Sequence, residues 1–356
     1  MNQQIRIASI NIYRKDAIGN FCYDLADTFE KAGFSVDLYA DGFDENSSVK
    51  KYELLFTDAN DHDIIFYNHS IYDANIERIT QLNAKKIVYF HGITPPEFLR
   101  KYQPITADDC EKGIQQLPYL NAFNLLCVNS TSTLNQLKKS ITVKNSAHII
   151  PPIVASRLKS NSIEKITKAN QSKKKLLSVG RVLPHKKIED TIKIFSAFTS
   201  FFPEIDIELN IVGVFPETDY YHEVMALISA LNIGDKINFV GSVDNDALLS
   251  HYLSADCYLL MSEHEGFGVP LLEALKADLP ILAYRKNSIN EVLGDSGCQI
   301  DDKSAEKTAT LLHHILCDGT YRDDLLSKQR KQLARLLQSC DESVFLKLIN
   351  TIETMD

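Results

Sequence analysis

Residues 257–285 read CYLLMSEHEGFGVPLLEALKADLPILAYR. The stretch opens on a short apolar run, CYLLMS, and closes on another, PILAYR. Such short, continuous apolar runs read as buried strands. Between them Gly266 and Gly268 let the backbone turn sharply and come close to a ligand. Pro270 suits the first turn of a helix, which runs through Ala277. Strand, loop, helix and strand joined this closely predict a parallel sheet with right-handed crossovers.

The same grammar extends in both directions. KKLLSVG (174–180), DIELNIVG (206–213) and KINFVG (236–241) precede this unit, and GCQI (297–300) follows it. Ile188, Ile192, Phe195 and Phe198 give the first helix of this series one apolar side. The first half repeats the alternation with IRIASI (5–10), SVDLYA (35–40), DIIFYNHS (63–70), KIVYFHG (86–92), LLCVNS (125–130) and HII (148–150). Phe21, Leu25 and Phe29 mark its first helix, which Gly33 ends. Pro151 and Pro152 then break the pattern, and a polar, Lys/Ser-rich stretch follows. The chain therefore reads as α/β, with two Rossmann-like, doubly wound parallel-sheet domains. Expected bounds are 1–152 for the first domain, 153–172 for a linker and 173–335 for the second. A helical tail, 336–356, completes it. In open α/β sheets ligands bind beyond the carboxyl ends of strands, so a crevice between two such domains is the expected site.

Composition narrows the functional classes. At roughly 100–200 residues per domain, 356 residues allow two or three cores. The net charge of −9 disfavours a nucleic acid as main partner, because phosphate contacts need clustered Lys and Arg. Seven cysteines, an odd number with no CxxC pair, argue against a disulfide framework or thiolate zinc site and for a reducing cytoplasm. No apolar run approaches the ~20 residues that span a bilayer. Peripheral contact with the inner face of a membrane is compatible with all of this.

The residues with chemistry follow strands. The N–H groups at the helix start after Gly268, with the macrodipole, make an anion site. Glu265 in the loop and Glu273, expected in the first helical turn, flank it. Two such carboxylates can grip sugar and ribose hydroxyls; singly, each is more simply a surface loop residue and a dipole-complementing one. In SVGRVLPHKK (178–187), Arg181 offers a fork of donors and Lys186 a point charge to a diphosphate. Lys186 and Lys187 stand at a helix start, which the dipole disfavours unless an anion offsets them. Gly19, in Ala17-Ile18-Gly19-Asn20, fits a helix start near a phosphate or sugar. No GxGxxG follows the first strand, which disfavours a nicotinamide dehydrogenase. His91 closes the KIVYFHG run and precedes Pro95 and Pro96, a position that points it toward the ligand. Ser130 reads as the N-cap of the next helix.

Glu265 and Glu273, with seven residues between them that include GFGVP, resemble the E-x7-E signature of retaining GT-B glycosyltransferases of the GT4 kind. Gly180-Arg181 with Lys186 resembles that family's G-R-x4-K element; Lys187 stands where Gly is frequent, a departure. His91-Gly-Ile-Thr-Pro-Pro-Glu-Phe98 and the AIGN loop are similar to one subgroup. The resemblance runs from the first loop to Glu273 and implies the following roles. Arg181 and Lys186 stabilise the leaving nucleoside diphosphate. Glu265 orients the transferred sugar, with His91 on the sugar or the acceptor. Glu273 holds the ribose. Gly19, Gly266, Phe267, Gly268, Val269 and Leu272 line the donor, and the segment around Val240 and Gly241 lines the base. Two protein cations make a metal unnecessary, so no cofactor is expected beyond a UDP- or GDP-linked sugar. The acceptor implied is a glycan or lipid-linked chain of the polysaccharide or lipopolysaccharide kind, and the last helix is expected to return to the first domain. Rival readings are a sugar-nucleotide epimerase on the same fold, a phosphorylase, and a non-catalytic carbohydrate-binding protein. The intact Arg181, Lys186, Glu265 and Glu273 set argues against the last.

Overall fold

The computed structural model describes residues 4–14, 16–144, 146–153, 173–339 and 341–355. The expected linker lies outside them, Ile153 excepted. The chain divides into two compact units, residues 1–96, 105–156 and 337–356 in one, and 97–104 and 157–336 in the other.

The first unit contains β1 (Gln4–Ser9), β2 (Asn11–Ile12), β3 (Ser35–Ala40), β4 (Gly42–Phe43), β5 (Lys50–Lys51), β6 (Ile64–His69), β7 (Lys85–Phe90), β8 (Leu125–Val128) and β9 (Ala147–Ile149). Seven of these form one parallel sheet in the order β5-β3-β1-β6-β7-β8-β9. The order reverses between β1 and β6, so the carboxyl ends of those strands border the switch point of this unit. β6 is buried along its whole length, as a strand with helices on both faces must be. The short strands β2 and β4 pair separately; two residues each carry no periodicity that a sequence reading could detect.

The helix Ala17–Lys31 starts where the Asp16 carboxylate accepts from the N–H groups of Ile18 and Gly19. It ends at Gly33, whose φ of +93° permits the left-handed turn that lets Phe34 N reach Phe29 O at 3.1 Å. Phe21, Leu25 and Phe29 are fully buried under it. The C-terminal helix Glu342–Glu353 presents Phe345, Leu348, Ile349 and Ile352 to the same core. Phe345 meets Phe21 at 5.7 Å and Tyr89 at 6.1 Å between ring centroids. Lys85 Nζ donates to the carbonyls of Glu353 and Met355 and satisfies that helix end.

The second unit holds β10 (Lys174–Val179), β11 (Ile207–Val212), β12 (Ile237–Gly241), β13 (Cys257–Leu260), β14 (Ile281–Tyr284) and β15 (Cys298–Ile300). They form a parallel sheet in the order β12-β11-β10-β13-β14-β15, with its switch point between β10 and β13. Ile192, Phe195 and Phe198 of the helix Ile188–Phe201 are buried against it, with Ile188 beside them. Residues 97–104 group with this unit although they sit in the first half of the sequence. Lys101 Nζ lies 2.7 Å from Glu223, Tyr102 Oη donates to the same carboxylate, and the Tyr102 and Tyr220 rings stand 5.4 Å apart. No described helix is long and apolar enough to cross a membrane.

Candidate active site

Two strings 79 residues apart in sequence meet in the second unit. Lys186 Nζ stands 2.7 and 2.8 Å from the two carboxylate oxygens of Glu265. The pair is largely buried, with 17% and 7% of the side-chain surfaces exposed. The lysine reaches this place along Gly180, which adopts a φ of +149° and where a Cβ would stand 3.7 Å from Lys186 Cε, an ordinary contact. Ser288 Oγ donates to the Glu265 carbonyl at 2.9 Å and fixes the backbone under the carboxylate. An ammonium has three protons to donate. Two serve Glu265, and the third is available for an anion.

The glycine loop ends as its sequence requires. Gly268 caps the helix Val269–Lys276 with a φ of +92°, and Pro270 lies in the first turn. Because the helix begins at Val269, Glu273 falls in its second turn, not the first as expected. It is also 3% exposed, so it does not act as a surface partner of the dipole. Tyr252 Oη, from the helix Asn245–Ser254, donates to Glu273 Oε2 at 2.8 Å. Phe267 is buried, and Leu272 is fully buried, so Leu272 presents no surface to a ligand in this structure. Val269 at the helix start and Val240 near the carboxyl end of β12 are half-buried.

Arg181 is exposed just beyond β10. Its loop rests on Gly213, which the sequence reading passed over. A Cβ on Gly213 would fall 2.1 Å from Gly180 O, and Gly213 has a φ of +143°. The sequence signal was present: two glycines end adjacent strands. His185, next to Lys186, is buried, and its carbonyl accepts from Glu263 N at 2.8 Å. Lys303 ties the same loops from another side, with Nζ 2.9 Å from Asp190 and 3.1 Å from Glu263. His185, Tyr252, Ser288 and Lys303 carry no local sequence signal, since their partners are remote.

Gly19 and His91 belong to the first unit. Gly19 is the third residue of its helix, where a Cβ would fall 2.0 Å from Tyr13 O; the backbone of the preceding loop fills that space. His91 follows β7, and its ring packs on Phe21 and Tyr89. Asn68 Nδ2 reaches Ala8 O, so Asn68 Oδ1 faces His91 Nε2 at 2.9 Å and accepts its proton. This leaves Nδ1 as the lone-pair nitrogen. Asn129 Nδ2 donates to the His91 carbonyl. Ser130 caps the helix Thr131–Ser140, accepting from Thr133 N, as expected.

Burial pushes the imidazoles of both units toward the neutral form. His69 falls to about 4, and desolvation with the neighbouring His69 takes His91 to about 3. Desolvation with the Lys186 charge depresses His185 strongly, and desolvation takes His264 to about 4. Their folded values lie below the unfolded value of about 6.5, so unfolding takes up protons below that pH. Stability should hold above pH 6.5 and fall as pH drops toward 4. Each group removes up to about 1.4 kcal/mol per pH unit. Calorimetry at pH 5 in buffers of different ionisation enthalpy should register net proton uptake on unfolding; release would contradict these assignments.

The fold is GT-B, as solved structures confirm. Anabaena Alr3699/HepE in complex with UDP-glucose superposes with a TM-score of 0.79 at 14% identity, covering 99% of this chain and all of that one. Sucrose-phosphate synthase from Thermosynechococcus elongatus matches with a TM-score of 0.74 at 16% identity over 99% of both chains. Residues 159–332 match the family model described as glycosyl transferases group 1. Among curated relatives, N-acetyl-alpha-D-glucosaminyl L-malate synthase of Bacillus anthracis is 31% identical over 53% of this chain. The chain spans 48% of that relative's length. O-antigen chain mannosyltransferase RfbU of Salmonella typhimurium is 26% identical over 80% of this chain and 78% of its own length.

Proposed function

We propose that this protein is a retaining glycosyltransferase that moves a hexose from a UDP- or GDP-sugar to a hydroxyl of a glycan or lipid-linked acceptor. The observation that carries the reading is the Lys186–Glu265 pair beside the glycine-capped helix Val269–Lys276. It joins a cation for the diphosphate, a carboxylate for the sugar and a helix start for phosphate. As the anomeric carbon–oxygen bond breaks, negative charge grows on the leaving diphosphate. Lys186, Arg181 and the helix N–H groups stabilise it, which is electrostatic catalysis. Glu265, held by Lys186 and Ser288, orients the sugar rather than attacking it. Glu273 takes the ribose, and neutral His91 can accept a hydrogen bond from a sugar or acceptor hydroxyl at Nδ1. The names of RfbU and HepE supply precedents for an O-antigen acceptor and a UDP-glucose ligand.

The test is a panel of UDP-, GDP-, ADP- and dTDP-sugars followed by ligand-detected NMR. One donor should bind and slowly release its free sugar. Conversion to an epimeric sugar would favour the epimerase, and absence of binding by folded protein would overturn the reading. With the charge supplied by Arg181 and Lys186, transfer should run at full rate in EDTA. A large loss restored by divalent metal would refute the metal-free mechanism.

A further inference from the structure

The Glu273 carboxylate is held by a residue outside both family-like motifs. Tyr252 is fully buried on the helix Asn245–Ser254, and its hydroxyl donates to Glu273 Oε2 at 2.8 Å. The Pro270 carbonyl, 3.3 Å from the same oxygen, is a weaker alternative acceptor. The Tyr252 ring lies 6.0 Å from that of Tyr258 on β13, whose hydroxyl reaches the Val179 carbonyl at the end of β10. The two rings thus run from Glu273 to the strand that leads into Gly180 and Arg181.

A glutamate has three side-chain torsions, and a carboxylate that must meet two vicinal hydroxyls has to be fixed in rotation as well as position. A hydrogen bond to an ionised group is the strong kind and sets its plane. We propose that Tyr252 is a positioning residue for nucleotide-ribose recognition, orienting Glu273 so that the site selects a 2′,3′-diol. The inference rests on the ribose role of Glu273 proposed above. It adds that discrimination against deoxyribose originates in part from the helix Asn245–Ser254.

The experiment compares Kd values of UDP and GDP with those of their 2′-deoxy and 3′-deoxy forms by calorimetry. Wild type, Tyr252→Phe and Glu273→Gln are measured together. Tyr252→Phe keeps the ring that fills the buried space and loses only the hydroxyl donor, so it should fold. Tyr252→Met, which fills the space with a flexible apolar chain, serves as the second variant. Wild type should prefer the ribonucleotide, and Tyr252→Phe should shrink the ribo-to-deoxy ratio by about tenfold. Affinity for the deoxy forms should change little. A merely structural tyrosine would weaken all ligands alike and leave the ratio unchanged. If Glu273→Gln abolishes the preference while both Tyr252 variants keep it, the inference is overturned and the Glu273 role stands. If wild type shows no preference, the Glu273 role falls, and the inference with it.

Discussion

Lys186→Ala should lower kcat/KM for sugar transfer by about 10³-fold, the loss expected when a principal stabiliser of leaving-group charge is removed. It should also destabilise the protein by about 3 kcal/mol, because Glu265 is left buried and unpaired. The two effects can be separated. In Lys186→Met with Glu265→Gln both charges disappear and comparable volume remains, so the unfolding midpoint should return close to the parental value. Activity should not return, since neither the diphosphate nor the sugar has regained its partner. A double variant that recovers rate along with stability would mean the pair is only a structural salt bridge. So would Lys186→Ala that folds and transfers at the parental rate. Glu265→Ala completes the set, with comparable loss of transfer and a buried ammonium in place of the buried carboxylate.

The longer elements of this fold were legible because each is locally specified, unlike the two-residue strands β2, β4 and β5. β6 reads as a buried strand because six consecutive residues face protein on both sides. The helix Ala17–Lys31 reads from Phe21, Leu25, Phe29 and the left-handed Gly33. The glycine loop and Pro270 were legible for the same reason: a φ of +92° at Gly268 and a fixed φ at Pro270 are demands on single residues. What stayed hidden depends on distant partners. Glu273 was placed in the first turn because nothing local separates a helix start at Val269 from one slightly later. Its burial comes from packing around Tyr252, 21 residues away. Ser288 and Lys303 likewise act on carbonyls and carboxylates brought near by the sheet order β10-β13-β14-β15. That residues 97–104 group with the second unit depends on Glu223 and Tyr220, more than a hundred positions on.

Gly213→Ala should lower turnover substantially, within about tenfold of the loss of Lys186, although Gly213 has no functional group. Its nitrogen donates to Gly241 O at 2.9 Å, and Gly180 N donates to Val212 O at 2.9 Å, so the ends of β10, β11 and β12 are locked to one another. A methyl at Gly213 would stand 2.1 Å from Gly180 O and 2.6 Å from Gly180 C. Backbone atoms cannot swing aside as a side-chain end does, so the Gly180–Arg181 peptide must shift by about 1 Å to reach ordinary contact. The φ of +143° adds strain of its own for any residue with a Cβ. The displaced peptide carries Arg181, and Gly180 is the surface along which Lys186 runs to Glu265. A shift of about 1 Å in positioning groups can lower turnover about 10²-fold. The variant should therefore show about 10²-fold lower kcat/KM and weaker diphosphate binding. Gly319→Ala is the control: it opens the helix Gly319–Ser339, and nothing lies within 4 Å of the added Cβ. It should be neutral in rate and neutral or stabilising by up to about 1 kcal/mol. Parental diphosphate affinity and turnover in Gly213→Ala would mean that the Gly180–Arg181 peptide does not set the cation geometry, and the leaving-group role assigned to Arg181 would fall with it.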